Sequence, residues 1–231
     1  MTILTASTTN EASVRPVLRL GLLGVGNVGQ GVIDVLTRNG GEIERRAGQA
    51  IRVVAASRRN VAALKALADA GVRTTDDPGA VVRDPEVDVV VELIGGTTLA
   101  KQLVLEAISL GKHVVTANKA LLAEHGTEIF AAAQKAGVIV AFEAAVAGGI
   151  PIIKALREGL TANHIEWVAG IINGTTNFIL SEMRDKGLDF DTVLKEAQRL
   201  GYAEADPTFD IEGVDAAHKL ALISAIAFGV P

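Results

Sequence analysis

VLRLGLLGVGNVG, residues 17–29, joins a short apolar run to three glycines spaced as Gly24, Gly26 and Gly29. Beyond them, apolar residues recur at helical spacing from position 28 to position 36. The pattern predicts a strand, a tight glycine turn and a helix. In such a unit the first glycine permits the turn, the second lets the backbone approach a pyrophosphate, and the third allows close helix packing. A dinucleotide site is therefore favoured, and the alternative is a tight β-α turn without a ligand.

The end of the next expected strand, residues 51–57, bears on the choice of dinucleotide. A site that prefers NAD usually places Asp or Glu there, against the ribose hydroxyls. This chain has Ser57, Arg58 and Arg59 instead. Arginines attract a 2′-phosphate that a carboxylate would repel, so the sequence favours NADP over NAD. The alternative is that both arginines lie on a solvated face.

Strand and helix patterns alternate about five times before residue 143. Expected strands lie at 17–23, 51–57, 87–94, from 113 onward and at 138–142, with helices at 60–70, 76–83, 99–110 and 120–136. This order predicts an α/β fold of Rossmann type, with a doubly wound parallel sheet. Gly95, Thr116, Asn118 and Lys119 then follow strands at the carboxyl edge, where ligands bind. Lys119 is equally compatible with a solvated lysine at the start of a helix.

The composition changes after Glu143, where small residues suggest a linker out of the nucleotide-binding unit. A helix is expected at 152–160, a strand at 165–172 with Trp167 on one face, and helices at 178–186 and 190–200. A polar cluster, Asn173 to Asn177, precedes the first of these last two helices. It either binds a small polar ligand or forms a helix N-cap with a turn.

Residues 201–219, GYAEADPTFDIEGVDAAHK, crowd five carboxylates and one lysine into a short segment. Pro207 prevents a helix through the middle, so the acids before Asp210 are expected on a loop. A helical pattern begins near Gly213 and places Asp215 four residues before Lys219, on one face. The segment is either a charged active-site loop or an acidic surface loop with an ordinary ion pair.

The composition excludes several classes of function. The chain has 231 residues, 49% hydrophobic and 21% charged, which is enough for a packed core of one or two domains. A net charge of −5 with scattered basic residues argues against nucleic acid, and no apolar run reaches the roughly twenty residues of a membrane span. The absence of cysteine excludes a thiolate nucleophile and suits a reducing cytoplasm. The four histidines are scattered without metal-ligand spacing.

Several motifs together resemble homoserine dehydrogenase. They are GLLGVGNVG (21–29), ELIGG (92–96), VTANKALLAEHG (115–126), FEAAVAGGIPII (142–153), INGTTNFIL (172–180) and GYAEADPTFDIEGVDAAHK (201–219). The resemblance implies interconversion of L-homoserine and L-aspartate 4-semialdehyde with NADP(H) or NAD(H), in threonine, methionine and isoleucine biosynthesis. It also implies a dinucleotide-binding domain at 17–147 and, at 148–231, the first part of an α+β substrate-binding and dimerisation domain. Residues 1–16 lack the long apolar run and the basic start of a signal peptide, and we expect them to form a flexible lead-in.

The resemblance assigns site residues by matched position. The catalytic residues would be Lys219, Lys119 and Asp215, and the substrate would contact Thr176, Tyr202, Glu204, Asp210, Asp215 and Lys119. With the glycine turn and the arginines, the cofactor set is Gly24, Val25, Gly26, Asn27, Val28, Gly29, Arg58, Arg59, Ile94, Gly95, Thr116, Lys119 and Gly201. A sodium ion, held mostly by backbone oxygens, would be bound by Glu143, Val146, Gly148 and Ile150.

Length is where this chain departs from the family. Family members continue well beyond the position of Pro231, which leads us to expect an incomplete second domain here and a homodimer only with the full domain. Two alternatives follow: an NADP-binding fragment without turnover, and a related lysine-dependent Rossmann reductase of another amino acid.

Overall fold

A six-stranded parallel sheet forms the centre of the first half of the chain. The computed structural model describes residues 17–231, so the expected lead-in at residues 1–16 lies outside the described residues. The strands follow the order β3-β2-β1-β4-β5-β6. They are β1 Leu18–Leu23, β2 Ile51–Ser57, β3 Arg73–Thr75, β4 Val89–Glu92, β5 His113–Thr116 and β6 Val140–Ala141. This is the strand order of a doubly wound dinucleotide-binding fold, and it confirms the predicted fold class.

Helices connect the strands and make up most of the second half. They are α1 Asn27–Ala47, α2 Lys65–Asp69, α3 Pro78–Arg83, α4 Thr98–Ser109, α5 Lys119–Ala136, α6 Ala144–Ala147, α7 Ile152–Lys154, α8 Gly174–Lys186, α9 Phe190–Arg199, α10 Thr208–Ile211 and α11 Val214–Phe228. A 3-10 turn, Val61–Leu64, precedes α2, and a wider π-type turn, Ala155–Gly159, follows α7. Among residues 17–231, no helix combines the length and apolar character needed to cross a membrane.

The strand order places a crevice between β1 and β4. From β1 the chain adds β2 and then β3 toward one edge of the sheet, and it then crosses back to form β4 on the other side of β1. The connections on the two sides of the β1–β4 gap therefore lead in opposite directions. Leu23 at the end of β1 is paired with Ser57 of β2 and with Glu92 of β4. The segments that follow these three strands therefore share the carboxyl edge of the sheet.

The sheet buries both of its faces. In β4, Val89 and Val91 belong to the core under α1, whereas Val90 belongs to the core under α4 and α5. This alternation explains why the strand is a continuous apolar run, as is typical of parallel strands covered on both sides.

The last helix, α11, packs against the first half of the chain. Leu222 and Ile223 of α11 are buried with Leu122 of α5, Phe142 and Ile153. This shared core brings the start of α11 close to the start of α5. This core contains residues from both sides of position 147, so it does not separate the two expected domains. The domain boundary between residues 147 and 148 therefore stays a prediction.

One expected strand is wrong. Residues 164–173 have no regular structure, and Trp167 and Ile171 are 73% and 78% exposed. The apolar composition of 165–172 suits a strand, but a strand also needs a neighbour to satisfy its backbone hydrogen bonds. No other segment among residues 17–231 pairs with it.

Other differences concern the ends of elements. Helix α8 begins at Gly174, earlier than the expected 178, because the side chain of Asn173 caps it by accepting a hydrogen bond from the N–H of Thr176 at 2.8 Å. The polar cluster thus supplies an N-cap, and binding of a small polar ligand by the same cluster stays a prediction. The helix expected at 60–70 is split into a 3-10 turn and α2, and the strands expected at 87–94 and 138–142 are shorter. The segment before Pro207 is irregular as expected, and the single-turn helix α10 follows it.

Candidate active site

The glycine turn between β1 and α1 has one glycine for each of three local requirements. Gly24 adopts a left-handed φ of 94°, and a Cβ there would lie 2.9 Å from the carbonyl oxygen of Leu93. A Cβ on Gly29 would lie 2.5 Å from the carbonyl oxygen of Gly24, so a side chain there is excluded by backbone. A Cβ on Gly26 would meet nothing within 4 Å. The fold thus demands Gly24 and Gly29, while the space over Gly26 is open for a ligand to approach the backbone.

A cavity of about 660 Å³ opens over this turn. Its lining comes from the segments that follow β1, β2 and β4, and consists of Gly24, Val25, Gly26, Ser57, Arg58, Arg59, Asn60, Asp76, Pro78, Leu93, Ile94, Gly95 and Leu99. The N-terminal N–H groups of α1 face this region without a side-chain cap, which suits an anion. The volume, the open glycine and the helix start all fit a dinucleotide.

Arg58 and Arg59 lie at the rim of the same cavity. Both are exposed, and neither guanidinium pairs with a carboxylate among the described residues. Asp76 lines the cavity as well, so the rim is not purely basic. The two arginines therefore remain free to contact a phosphate.

Glu92 ties the cofactor cavity to the neighbouring strand. Its side chain is fully buried at the end of β4, where Oε1 accepts hydrogen bonds from the N–H groups of Ile94 at 2.9 Å and Gly95 at 3.2 Å. The other oxygen accepts from the hydroxyl of Thr116 at 2.6 Å, and Thr116 in turn accepts from the N–H of Asn118 at 3.0 Å. Thr116 is thus buried behind the cavity and holds the turn that leads to Lys119.

Lys119 is the first residue of α5. Asn118 caps the helix through a hydrogen bond from the N–H of Leu121 at 3.1 Å, and its amide also donates to the carbonyl of Gly96 at 2.7 Å. A second cavity, of about 330 Å³, is lined by Lys119 together with Val28, Leu93, Gly95, Gly96, Ala117, Asn118, Ala120 and Phe209. Lys119 thus lies beside residues of the glycine turn and of the segment after β4.

Asp215 bridges the two lysines. One carboxylate oxygen lies 3.0 Å from Nζ of Lys119 and the other 2.8 Å from Nζ of Lys219. Nζ of Lys219 also donates to the carbonyl oxygen of Ile172 at 2.9 Å. Burial raises the pKa of Asp215, but hydrogen bonds from Lys219, Asn173 and Lys119 outweigh it and lower that pKa to about 2. Asp215 is therefore ionised across the whole working range of pH.

Asp210 joins the cluster through neutral side chains. It accepts hydrogen bonds from Nδ2 of Asn173 at 2.8 Å and from the hydroxyl of Thr175 at 3.0 Å. The same Asn173 amide donates to Asp215 at 3.0 Å. Two carboxylates and two ammonium groups consequently lie together, and their formal charges cancel.

The remaining predicted substrate contacts are spread around this cluster. The hydroxyl of Thr176 lies 2.9 Å from Oδ1 of Asn173, so it lies one contact away from the acids. Tyr202 and Glu204 are exposed, with the Tyr202 ring edge-on to Phe178 at 5.0 Å between centroids. Gly201, with φ 78°, ends the turn after α9 and lines neither cavity next to the glycine turn. The structure brings Lys119, Lys219, Asp210 and Asp215 together through direct contacts and through Asn173, whereas the side chains of Tyr202 and Glu204, and Gly201, make no contact with this cluster.

The expected sodium ligands lie in one compact segment around α6. The carbonyls of Glu143 and Ile150 accept backbone hydrogen bonds from Val146 and Ile152, and each oxygen keeps a second lone pair. The carboxylate of Glu143 is used to cap α7, at 2.8 Å from the N–H of Ile153 and 2.9 Å from that of Lys154. Within residues 17–231 no group of three or more acidic or histidine side chains could hold a metal ion. Backbone oxygens remain the fitting donor set, and the sodium site stays a prediction.

Two family models match the chain. One, described as "Homoserine dehydrogenase, NAD binding domain", matches residues 24–143, and the other, described as "Homoserine dehydrogenase", matches residues 151–231. The chain belongs to the homoserine dehydrogenase family. Its first half is therefore a nicotinamide-dinucleotide-binding domain, and the resemblance seen in the motifs is confirmed.

Known homoserine dehydrogenases are similar over nearly the whole chain. The enzyme from Pseudomonas aeruginosa is 63% identical over 221 residues, which are 94% of this chain and 50% of that protein. The crystal structure from Thiobacillus denitrificans has 69% identity and a TM-score of 0.88, over 94% of this chain and 50% of that one. A hyperthermophilic archaeal homoserine dehydrogenase in complex with NADPH has 25% identity and a TM-score of 0.80, over 94% and 71%. The chain thus spans about half the length of the first two relatives.

Two buried residues of this homoserine dehydrogenase family member were not among the predicted site residues. They are Glu92, within ELIGG, and Asn173, within INGTTN, which are 0% and 8% exposed. Both lie inside motifs that carried the resemblance. A carboxylate at the end of a fully apolar strand was a usable signal for Glu92, because a buried charge requires partners. Nothing in the local pattern indicated that Asn173 would contact two distant acids.

Proposed function

We propose that this chain carries the cofactor site and the catalytic lysines of an enzyme that interconverts L-homoserine and L-aspartate 4-semialdehyde with NADP(H). The observation that carries the proposal is Asp215, which holds Lys219 and Lys119 together while Lys119 lines the cavity beside Val28 and Gly95. Membership of the family supports the same reaction. The reaction belongs to threonine, methionine and isoleucine biosynthesis.

The residues suit reduction of an aldehyde without a metal. When bound, the nicotinamide supplies the hydride for the carbonyl carbon. Lys219 would then deliver a proton to the developing alkoxide, and Lys119 would add positive charge at the nicotinamide side. Asp215 orients both ammonium groups, because each of its oxygens holds one of them. In the reverse direction Lys219 would take the proton from the alcohol.

The substrate is an amino acid, so its ammonium needs acidic partners. Asp210 is half-buried and is connected to Asp215 through the amide of Asn173, and Glu204 is exposed with its carboxylate free of ion pairs among the described residues. Both acids would meet the ammonium, with Thr176 and Tyr202 as neighbours. This assignment follows the matched motif positions.

For the cofactor, we propose NADP in preference to NAD. The support is the absence of Asp or Glu directly after β2 and the presence of Arg58 and Arg59 at the rim of the cofactor cavity. The relative solved with NADPH is compatible with this choice. Gly201 would approach the cofactor from the other side when the ligand is bound.

Two further properties of the family are proposed for this chain as well. A sodium ion would be held by carbonyl oxygens of Glu143, Val146, Gly148 and Ile150. With the full family domain present, a homodimer would cover the exposed apolar side chains of 165–172, among them Trp167 and Ile171.

Reduction of aspartate 4-semialdehyde with each cofactor tests the proposal directly. We expect oxidation of NADPH that depends on the aldehyde, with slower turnover of NADH, and the reverse reaction with homoserine. Fluorescence titration with NADPH is run in parallel on the same chain. Binding without turnover of any substrate would support the alternative of a cofactor-binding fragment, and turnover of another hydroxy amino acid in place of homoserine would support the alternative reductase.

A further inference from the structure

The side chain of Asn173 occupies the point where the acidic segment meets α8. It is 8% exposed, and its Nδ2 donates to Oδ1 of Asp210 at 2.8 Å and to Oδ2 of Asp215 at 3.0 Å. Its Oδ1 accepts from the N–H of Thr176 at 2.8 Å, which orients the amide and turns Nδ2 toward the two acids. Every polar atom of the side chain is therefore used.

Asparagine meets requirements here that other residue types do not meet together. An amide offers two N–H donors and a carbonyl acceptor, whereas a carboxylate of the same shape offers only acceptors. The two donors contact one acid each, Asp210 and Asp215, and the carbonyl accepts from the N–H of Thr176 in the first turn of α8. A neutral donor also lets two carboxylates lie close without a third charge.

The segment 172–173 holds the Asp215–Lys219 pair at two points. The carbonyl oxygen of Ile172 accepts from Nζ of Lys219 at 2.9 Å, and the next side chain, Asn173, donates to Asp215. The ion pair itself is 2.8 Å long. The lysine and its acid are thus both held by the last two residues of the irregular segment, one through its backbone carbonyl and the other through its side chain.

We propose that Asn173 is a positioning residue for the Asp215–Lys219 pair, which fixes the direction of the catalytic ammonium without itself touching substrate or cofactor. The inference rests on the function proposed above and adds a residue to it. Its hydrogen bond is also one of the causes that lower the pKa of Asp215 to about 2, after the contribution of Lys219, while burial acts in the opposite direction.

Two substitutions separate positioning from capping. Asn173→Ser keeps an N-cap oxygen for Thr176, because serine caps helices about as well as asparagine, but it removes both N–H donors. Asn173→Asp keeps the shape and the cap, and replaces the donors by a third acidic group. The matched controls are Asn177→Ser and Asn177→Asp, one turn further along α8, where the side chain is exposed.

The pH dependence of Asn173→Asp is the distinguishing readout. The charged groups that face position 173 are Asp210 from α10, Asp215 and Lys219 from α11, and Lys119 of α5 through Asp215, whereas His218 packs on Phe209. In Asn173→Asp the new carboxyl would lie against Asp210 and Asp215. These two carboxylates raise its pKa, and once it is protonated it again offers one hydrogen-bond donor. We expect turnover to fall by about 100-fold at pH 8.5, as for a misplaced catalytic group, and to recover several-fold relative to wild type at pH 6.

The outcomes distinguish this inference from the function on which it rests. If the wild-type chain has no turnover, the proposed function fails, and titration of the Asp215 carboxyl by NMR still decides the role of Asn173. A pKa for Asp215 that rises in Asn173→Ser, but not in Asn177→Ser, supports the contact.

If the wild-type chain turns over, two results would overturn the positioning role of Asn173: an unchanged kcat in Asn173→Ser, or a loss of turnover in Asn173→Asp that does not depend on pH. The KM for NADPH is expected to stay within about twofold of wild type, because Asn173 lines neither of the two cavities next to the glycine turn.

Discussion

Nζ of Lys119 lies 3.0 Å from Oδ1 of Asp215, so the first residue of α5 is tied to the first turn of α11. A cation at a helix N-terminus opposes the helix dipole, at a cost of about 0.3–1 kcal/mol. Asp215 offsets that cost and keeps Lys119 beside the segment that follows β4. The contact also places a lysine of the nucleotide-binding half on the same carboxylate as Lys219, as the proposed mechanism requires.

Replacement of Lys219 by Ala is expected to lower kcat by about 10²- to 10⁴-fold, because in the proposed mechanism its ammonium meets the developing alkoxide and not the pyrophosphate. The affinity for NADPH, measured by fluorescence titration, should remain close to that of wild type. Lys195→Ala, an exposed lysine of α9, is the matched control and should retain full turnover. A parallel loss of NADPH binding in Lys219→Ala would contradict the role.

The acid side of the stability profile should report on Asp215. Its pKa in the folded chain is about 2, below the usual value near 4, so its stabilising contribution is complete above pH 5 and is lost as pH falls toward 2. That contribution is about 2 kcal/mol. The free energy of unfolding of Asp215→Asn should therefore vary less between pH 5 and pH 2 than that of wild type, whereas the exposed Asp191→Asn should keep the wild-type slope. Parallel profiles for wild type and Asp215→Asn would refute the lowered pKa.

Three glycine-to-alanine substitutions separate folding from cofactor binding. Gly29→Ala places a Cβ against backbone oxygen and should destabilise the chain by about 1–3 kcal/mol. Gly26→Ala meets open space, so stability should hold while NADPH affinity falls at least tenfold. Gly31→Ala, exposed within α1 with nothing near its Cβ, is the control and should add up to about 1 kcal/mol of stability. The measurements are chemical denaturation and fluorescence titration, and unaltered NADPH binding in Gly26→Ala would exclude the turn as the phosphate site.

The sheet could be predicted from the sequence because its signals are local. The glycine spacing after β1, the apolar runs of β2 and β4, and the helical periodicity between them each fall within about twenty residues. Asp215 and Lys219 could be paired for the same reason, since four residues on a helix place both on one face. Local spacing therefore predicted half of the candidate site.

The rest of the site depends on contacts between distant segments. Which helix packs on α5 is decided by a core that Leu122 shares with Leu222, and only that packing brings Lys119 to Asp215. The contacts of Asn173 with Asp210 and Asp215 are equally non-local. The strand expected at 165–172 failed for a related reason, because composition predicts extended backbone but not the presence of a hydrogen-bonding neighbour.

Arg58→Glu tests the choice of cofactor. A carboxylate at the rim of the cavity would repel a 2′-phosphate and favour free ribose hydroxyls, so the ratio of Kd for NADP to Kd for NAD should rise by about 10- to 100-fold. Arg38→Glu changes the net charge equally on the exposed surface of α1 and serves as the control. An unchanged ratio in Arg58→Glu would remove the arginine argument for NADP.

Glu92 offers a test of how the cofactor cavity is connected to Lys119. Glu92→Ala would leave the N–H groups of Ile94 and Gly95 and the hydroxyl of Thr116 without an acceptor, at about 1–3 kcal/mol for each buried group. Glu92→Gln is milder, because one oxygen still accepts the two N–H groups while Nε2 cannot accept from Thr116.

A double-mutant cycle of Glu92→Gln with Thr116→Val, read by denaturant unfolding, should give a coupling free energy of about 0.5–3 kcal/mol. The same Glu92→Gln variant should bind NADPH more weakly, since Ile94 and Gly95 line the cofactor cavity. Strictly additive free energies in the cycle would show that the two side chains do not act as one unit, and the link from β4 to Lys119 would then have to run through the backbone pairing of β4 with β5 and the Asn118–Gly96 contact.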